Sequence, residues 1–485
     1  MPRVLTGRTI IYSDETEVTK ENVCAIIGKA MGTHSGNRSA IDYLYNYYKG
    51  NQPILLKTTD IRPEINNIVL ENRANEIVNF KVGYLLGEPI QYVARNKSDV
   101  SEAINTLNDF VFAEDKASKD KEIAEWFTVC GTAYRLVLPD IQGEIDESPF
   151  EIFTLDPRNT FVVYTNDIEK KPLLGVTYVD RENGTRLYTC YSQTSTFYVE
   201  ERVDKGKATR TAEEEINNLG GIPIIEYPAN SIRVGAFEVV ITLLDAINQM
   251  ASDRADAIDG FVQALMVFKG VDIDDDTFRA IKELGGLKVP ADGDVKYLVQ
   301  ELNQQSTQTL VDNMYQTVLT IVGMPSTGDG NTSDSSNNGA VILKNGWYGA
   351  ESRAKDTELM FKRSEKMFLK IALRIASTFK HLDLKLSDID IRFTRRNYEN
   401  LLVKSQVLTT MLANDKIHPR LAFEQSGMFI DTELAYTMSE EYQKQNEEKE
   451  AEELNNLRFK MGAEDIESKS KDNPNNNEVV DDENN

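Results

Sequence analysis

Two stretches of helical periodicity too long to stand alone constrain what this chain can fold into. From Ser231 onward, SIRVGAFEVVITLLDAINQMASDRADAIDGFVQALMVF puts Val239, Leu243, Leu244, Ile247, Met250, Ile258, Val262 and Leu265 on one face, with Gly260 as a bend. It predicts roughly 38 residues of helix, about 57 Å at 1.5 Å per residue. From Gly339, GAVILKNGWYGAESRAKDTELMFKRSEKMFLKIALRIASTFKH predicts a second rod of roughly 40 residues, striped by Met360, Met367, Ile371, Ile375 and Phe379. Such rods hold only by burying their stripes, against the rest of the chain or against copies of it.

Between the rods the text changes twice. In the insert from Gly270 to Gln300, DIDDDTFRAIKELGG predicts a short helix, its N-terminal acids favoured by the helix dipole and its stop at Gly285-Gly286; LKVPADGDVKYLVQ then predicts strand, Asp-Gly turn and strand. Helix returns in QQSTQTLVDNMYQTVLTIVGM and halts at Pro325. The polar run in VGMPSTGDGNTSDSSNNGAVILKNGW, Val322 to Trp347, then separates two helices far from either end, with neither Lys nor Arg between Pro325 and Gly339.

The first half reads as α+β. EINNIVLENRANEIVNFKVGYLLGEPIQYV carries Ile65, Ile68, Val69, Ile77, Phe80, Val82, Leu85 and Leu86 at helical spacing up to Gly87 and Pro89, and VSEAINTLNDFVF and DKEIAEWFTVCGTA continue in helix. After Thr132 the period changes: AYRLVLP, FVVYT, LLGVTYVD and RLYTCYS are strands, with Asn183-Gly184 predicting a type I′ hairpin turn. One α+β domain over residues 1–230 accounts for this. Past the second rod, DIDIRFTRR predicts a strand and the following text helix with breaks at Pro419 and Gly427. The residues from Glu440 to Asn485 hold 15 acids and 6 bases, and residues 461–485 are expected to be a disordered acidic tail.

The 485 residues carry 78 acids against 54 bases, net −24, without a basic stretch, which excludes tight phosphate-driven DNA binding. Cys24, Cys130 and Cys190 match neither a disulfide framework nor a zinc spacing, and no apolar run reaches membrane-span length or resembles a signal peptide, so a cytosolic chain is expected. Asp272, Asp274, Asp276 and Glu283 fit positions 1, 3, 5 and 12 of a calcium loop, but Thr277 stands where the loop needs Gly and Arg279 where it needs an apolar residue. An acid-capped helix start explains them better. His34, His381 and His418 are isolated, and Gly28-Lys29 lacks the first glycine of a phosphate loop. Packing or subunit contact, rather than ligand stacking, is the expected role of Trp347 and of Tyr43, Tyr45, Tyr47 and Tyr48. Neither a catalytic site nor a cofactor or metal site is expected.

NYYKGNQPI, NNIVLENRANEIVNFKVGYLLGEPIQY and the order long helix, small α/β insert, helix, VGMPS, Gly/Ser/Asn loop, GAVILKNGW, long helix resemble the portal proteins of tailed bacteriophages, in particular the subgroup from long-tailed phages of Gram-positive hosts. The resemblance spans residues from about 40 to 440. It implies a mainly α, α+β portal fold and a ring, of twelve subunits, at one capsid vertex, through which double-stranded DNA is packaged and ejected. By position it implies a wing over residues 1–230, stem helices at 231–268 and 303–323, a clip at 269–302, a tunnel loop at 324–339, a long wing helix and strand at 340–396 and a helical crown at 397–460. The loop would meet DNA through Ser326, Thr327, Asp329, Asn331, Thr332, Asp334, Ser335 and Asn337. The clip would dock the terminase large subunit and later a head-completion or adaptor protein through Asp272, Asp274, Asp275, Asp276, Lys288, Asp292 and Asp294. Major capsid and scaffolding proteins would be further partners; no membrane is implied. The alternatives are an acidic, non-ring minor head or adaptor protein, and a metal-dependent enzyme built on the calcium-loop-like acids.

Overall fold

A computed structural model describes residues 7–60, 63–95, 100–140, 148–204, 207–262, 265–269, 294–298, 304–326, 346–395, 401–429 and 432–471. The chain divides into two compact units, residues 1–95 with 100–397, and residues 96–99 with 398–485.

In the first unit, β1 (Ile11–Ser13), α1 (Val23–Tyr48), α2 (Arg73–Leu85), β2 (Gln91–Ala94), α3 (Ser101–Ala113) and α4 (Lys116–Cys130) precede a run of strands. These are β3 (Thr132–Pro139), β4 (Phe150–Leu155), β5 (Thr160–Thr165), β6 (Pro172–Asp180), β7 (Thr185–Tyr191), β8 (Ser195–Asp204), β9 (Lys207–Ile216) and β10 (Ile224–Pro228). Then follow α5 (Ile241–Val262), β11 (Leu265–Lys269), β12 (Asp294–Leu298), α6 (Gln304–Val322), α7 (Trp347–Lys380) and β13 (Ile389–Arg392).

The larger sheet has the order β1-β5-β6-β7-β8-β9, antiparallel except for β1 against β5. Its alternating residues Phe161, Val163, Leu174, Val176, Cys190, Phe197 and Val199 point to one face and bury Val23, Ile26, Ile27 and Ala30 of α1. A second sheet, β10-β3-β4, joins α3, α4, α7 and the β2–β13 pair in the main core. In a second core, between α1, α2, α5 and the helix after β12, the aromatic expectation holds as packing: Tyr45 stacks on Trp126 at 4.7 Å and Tyr47 on Phe237 at 5.8 Å.

At the centre of the main core sit four buried charges. Lys116 Nζ reaches Asp120 and Glu365, each at 2.7 Å, while Arg135 reaches Glu365 at 3.3 Å and pairs closely with Asp120. Tyr92 and Tyr227 donate their hydroxyls to Glu365 at 2.5 and 2.8 Å. Burial would raise the Glu365 carboxyl, but the Lys116 and Arg135 charges and the hydrogen bonds leave it below its ordinary value.

Several expectations need correction. Ile65 to Val69 are not helical; α2 begins only at Arg73, where Asn72 accepts the Asn75 N–H as a cap. The first rod is shorter than its pattern, a 22-residue helix. Ahead of it, Arg233 takes φ +56° and ties back to Glu226 at 2.5 Å, which excludes helix there; beyond it, Leu265–Lys269 form a strand. Asn183 lies outside the positive-φ residues although Gly184 has φ +77°: Asn183 Oδ1 accepts from Thr185 N and Oγ1 at 3.0 and 2.6 Å. The hairpin therefore closes through the Gly184 N–H to Arg181 O bond, a turn followed by a left-handed glycine rather than a type I′ turn. On α7 the buried face is carried by Phe361, Glu365, Phe368, Leu369 and Ala372 with Ile371 and Ile375, while Met367 and Phe379 are exposed. Apolar residues all round this helix left its rotation undetermined, and Glu365 and the two phenylalanines decide it.

The second unit holds α8 (Leu401–Leu412), α9 (Pro419–Ser426) and α10 (Thr432–Lys471), with breaks at Pro419 and Gly427 as read from the sequence. Phe423 packs on Phe429 at 5.3 Å and on Tyr436 at 5.8 Å. α10 runs to Lys471, into the segment expected to be disordered from residue 461; its glutamates and lysines are good helix formers.

Removing one partner from the buried quartet strands the others, so Glu365→Ala should cost about 3–5 kcal/mol, read as a lower thermal midpoint. His34, buried between Phe161 and Tyr178 and bonded to Arg158 O at 3.1 Å, is held down to about 4, chiefly by burial. Its contribution is intact above its ordinary 6.5 and lost as pH falls toward 4, because the unfolded chain binds the proton first. His34→Gln should flatten the acid limb of stability against pH in that window.

Candidate channel helices and loop root

α5 and α6 pack as an antiparallel pair. Leu244 and Ile247 share a core with Val318, Leu319 and Val322, and farther along Arg254 bonds to Gln308. The pair continues into a two-stranded ribbon, Leu265 opposite Leu298 and Lys269 opposite Asp294.

An extended segment straps α5 to the body. The N–H groups of Glu71, Val69 and Asn67 donate to Asn248 Oδ1 (2.8 Å), Ser252 Oγ (2.9 Å) and Asp256 Oδ1 (2.5 Å). The match is geometric: four helical residues rise about 6 Å and two extended residues about 6.6 Å, so every second N–H meets every fourth side chain. Asn248 is fixed in turn by donating to Gln52 at 2.7 Å, and Lys57 clamps Asp253 and Asp256 at 3.0 and 2.6 Å. This explains why Ile65–Val69 is not helical. The sequence signal was there to read, polar residues at i, i+4 and i+8 of the helix: Asn248, Ser252 and Asp256.

α6 is held on its inner side by α2, through Arg73 over the Tyr315 ring at 4.1 Å and Tyr315 Oη to Glu76 at 2.6 Å. It carries one charged residue, Asp312. On its exposed side Thr309, Thr317 and Thr320 donate their hydroxyls to the carbonyls of Gln305, Asn313 and Gln316 at 2.9, 2.8 and 2.9 Å. Those hydroxyls have spent their only proton on the backbone.

The helix ends in a closed cap. Met324 N donates to Leu319 O at 2.9 Å and Gly323 N to Thr320 O at 3.3 Å, with Gly323 at φ +70° and Leu319 and Met324 buried together. Lys81 of α2 donates to the Val322 carbonyl at 2.7 Å; burial, with Arg353 nearby, pushes its amine down to about 8. Where the chain returns at Gly346, a side chain would touch Pro325 Cα at 3.5 Å, so the two ends of the intervening segment meet. Trp347 then packs on Phe80 and Tyr84 at 6.1 and 5.8 Å, fixing the return to α2.

Of the residues expected to meet DNA, Ser326 lies at this root and donates to Gln316 Oε1 at 2.7 Å. Thr327, Asp329, Asn331, Thr332, Asp334, Ser335 and Asn337 lie outside the described residues, as do Asp272, Asp274, Asp275, Asp276, Lys288 and Asp292. Asp294 opens β12. The strap and the Lys81 cap were missed; nothing local links Lys81 to a carbonyl 241 residues away. Among the described residues no group of His, Cys, Asp and Glu is placed to hold a metal, the three cysteines are unpaired, and no helix is long and apolar enough to cross a membrane.

The family profile described as "Phage portal protein, SPP1 Gp6-like" matches residues 32–453. The chain belongs to this family. It is a portal protein, the head-tail connector of a phage virion, and its family is a structural one. No curated protein matches the portal chain by sequence. Among solved structures it is similar to a chain of "Neck of empty GTA particle computed with C6 symmetry", at 12% identity and TM-score 0.44 over 74% of this chain and 91% of that one. It is also similar to a chain of "Virion of native gene transfer agent (GTA) particle", at 11% identity and TM-score 0.43 over 74% and 90%. The functional assignment rests on the family.

The left-handed cap is the exposed test of this root. A side chain at Gly323 meets both the positive φ and the Arg353 Cγ at 2.8 Å, so Gly323→Val in the portal protein should cost about 1–2 kcal/mol, measured by thermal unfolding.

Proposed function

We propose that copies of the chain close into a ring of twelve at one capsid vertex, around a channel lined by α6 and by the loop rooted at Ser326 and Gly346, and that double-stranded DNA enters and leaves through it. The observation that carries this reading is a nearly uncharged, exposed helix rising from a buried cap in a chain of net charge −24. A duplex is retained by cations that neutralise its phosphates and release counterions. A wall without cations, its threonine protons already bonded to its own backbone, offers the duplex little to hold. The Gly/Ser/Asn loop, lacking Lys and Arg from Pro325 to Gly339, follows the same logic.

The regions follow this reading: wing over residues 1–230 with the long helix and strand at 340–396, stem at 231–268 and 303–323, clip at 269–302, tunnel loop at 324–339, crown at 397–460 and acidic tail beyond. The β11–β12 ribbon opens the clip, where the terminase large subunit and later a head-completion protein dock, with Asp272, Asp274, Asp275, Asp276, Lys288, Asp292 and Asp294 at the contact. Major capsid and scaffolding proteins surround the ring, and the phage is a long-tailed one of a Gram-positive host.

The solution mass decides the ring: a species near twelve times 54.8 kDa is expected, and a monomer under all assembly conditions would refute it. Deleting Thr327–Asn337 should preserve the ring and impair packaging or DNA retention; loss of the ring would contradict the loop assignment. Thr309→Lys with Thr317→Lys should slow DNA transit, more so at low salt, in a packaging or ejection assay; unchanged rates would remove α6 from the wall.

A further inference from the structure

α7 turns one face to the core and leaves the opposite face to solvent. On that outer face Arg363, Lys366, Lys370 and Arg374 are all exposed. At 3.6 residues per turn they fall within an arc of about 80° and a rise of about 16.5 Å, a single straight stripe. No exposed acid interrupts it: from Leu359 to Lys380 the one carboxylate is Glu365, which is buried in the quartet. Among the described residues Arg363, Lys366 and Lys370 pair with no acid. Other exposed cations do, Arg202 with Glu200 at 3.1 Å and Lys171 with Glu169 at 2.6 Å. Arg374 donates to the Leu219 carbonyl at 2.8 Å and lies over Gly220, where a Cβ would sit 1.6 Å from its Nη1. That seat, residues 217–221, is uncharged, so it holds the guanidinium in place without neutralising it.

The stripe is not a run in the sequence. Residues of the buried face separate its members, so a search for basic stretches passes over it. At about 0.15 M salt the screening length is about 8 Å, and the acids elsewhere in the chain are largely screened from a ligand lying on the stripe. The local sign therefore governs what binds. A second copy of this chain would offer a surface of mixed sign, with 54 bases among 78 acids; an unbroken row of like charge is matched better by a uniform polyanion. Over about 16.5 Å, one strand of a duplex presents about five phosphates, close to the number of cations in the stripe.

We propose that this outer face of α7 is a contact surface for the phosphate backbone of double-stranded DNA outside the channel, made by Arg363, Lys366, Lys370 and Arg374. It goes beyond the channel reading and has the opposite chemistry. The α6 wall lacks cations and lets a duplex pass; the α7 stripe holds a duplex at rest. Four cations per copy give a weak, salt-limited hold, in keeping with the strongly acidic chain.

The test is binding of the full chain to a covalently closed circular duplex, followed by co-sedimentation between about 50 and 200 mM salt. The log of the affinity should fall against the log of salt with a slope of about −3.6 for each copy engaged. Lys366→Ala with Lys370→Ala should halve that slope at an unchanged thermal midpoint, and Lys366→Arg with Lys370→Arg should retain it. A circle left unbound at the lowest salt, or an unchanged slope in the alanine variant, would overturn the proposal. So would stripe-dependent binding of polyglutamate with the duplex left free, which would assign the stripe to an acidic protein surface. A closed circle cannot thread a ring, so either result leaves the channel reading to its own tests.

Discussion

The first unit depends on a charge-balanced quartet that water does not reach. Lys116 and Asp120 sit on α4, Arg135 on β3 and Glu365 on α7, with tyrosines from β2 and β10 closing the remaining sites on the carboxylate. Taking four charges out of water is costly, and apolar packing in their place would be no less stable. What the quartet supplies is a unique arrangement. α7 has apolar residues around much of its circumference, yet one rotation alone brings Glu365 within reach of both Lys116 and Arg135, and that rotation drives Phe361 and Phe368 into the core.

Two further buried pairs carry the order from the sheets to the α5–α6 pair. Glu226 of β10 holds Arg233 at 2.5 Å and Tyr164 at 2.5 Å, and Glu238 holds Arg8 at 2.7 Å together with the N–H groups of Gly7 and Gly235. Between them the chain turns through the left-handed Arg233 and enters α5 at a fixed angle. The start of α5 is therefore set by long-range electrostatics rather than by helix propensity.

This is also where reading from sequence stopped working. Strands from Thr132 to Tyr191 were legible because alternation and turn residues are local signals, and the breaks at Pro325, Pro419 and Gly427 were legible because proline and glycine act on their own backbone. The first rod was over-extended because nothing near Ser231 announces that Arg233 will be drawn to Glu226, and LMVFK at 265–269 is too short an apolar run to distinguish helix from strand. Ile65–Val69 carry enough apolar residues for a helix, but the N–H groups a helix would use internally are claimed by Asn248, Ser252 and Asp256. At the loop root Gly323 and Pro325 could be read directly. Lys81, which completes the cap from another helix, could not.

The strap along α5 has a mechanical meaning. Its three hydrogen bonds cross from the extended segment to the helix at successive turns. A force along α5 loads all three together with the Lys57 clamp. A force that lifts the strap from one end would break them one at a time, as a zipper opens. The joint is thus stiffer along the helix than against peeling from one end, and this anisotropy arises from the near coincidence of two repeat lengths, one helical turn and two extended residues.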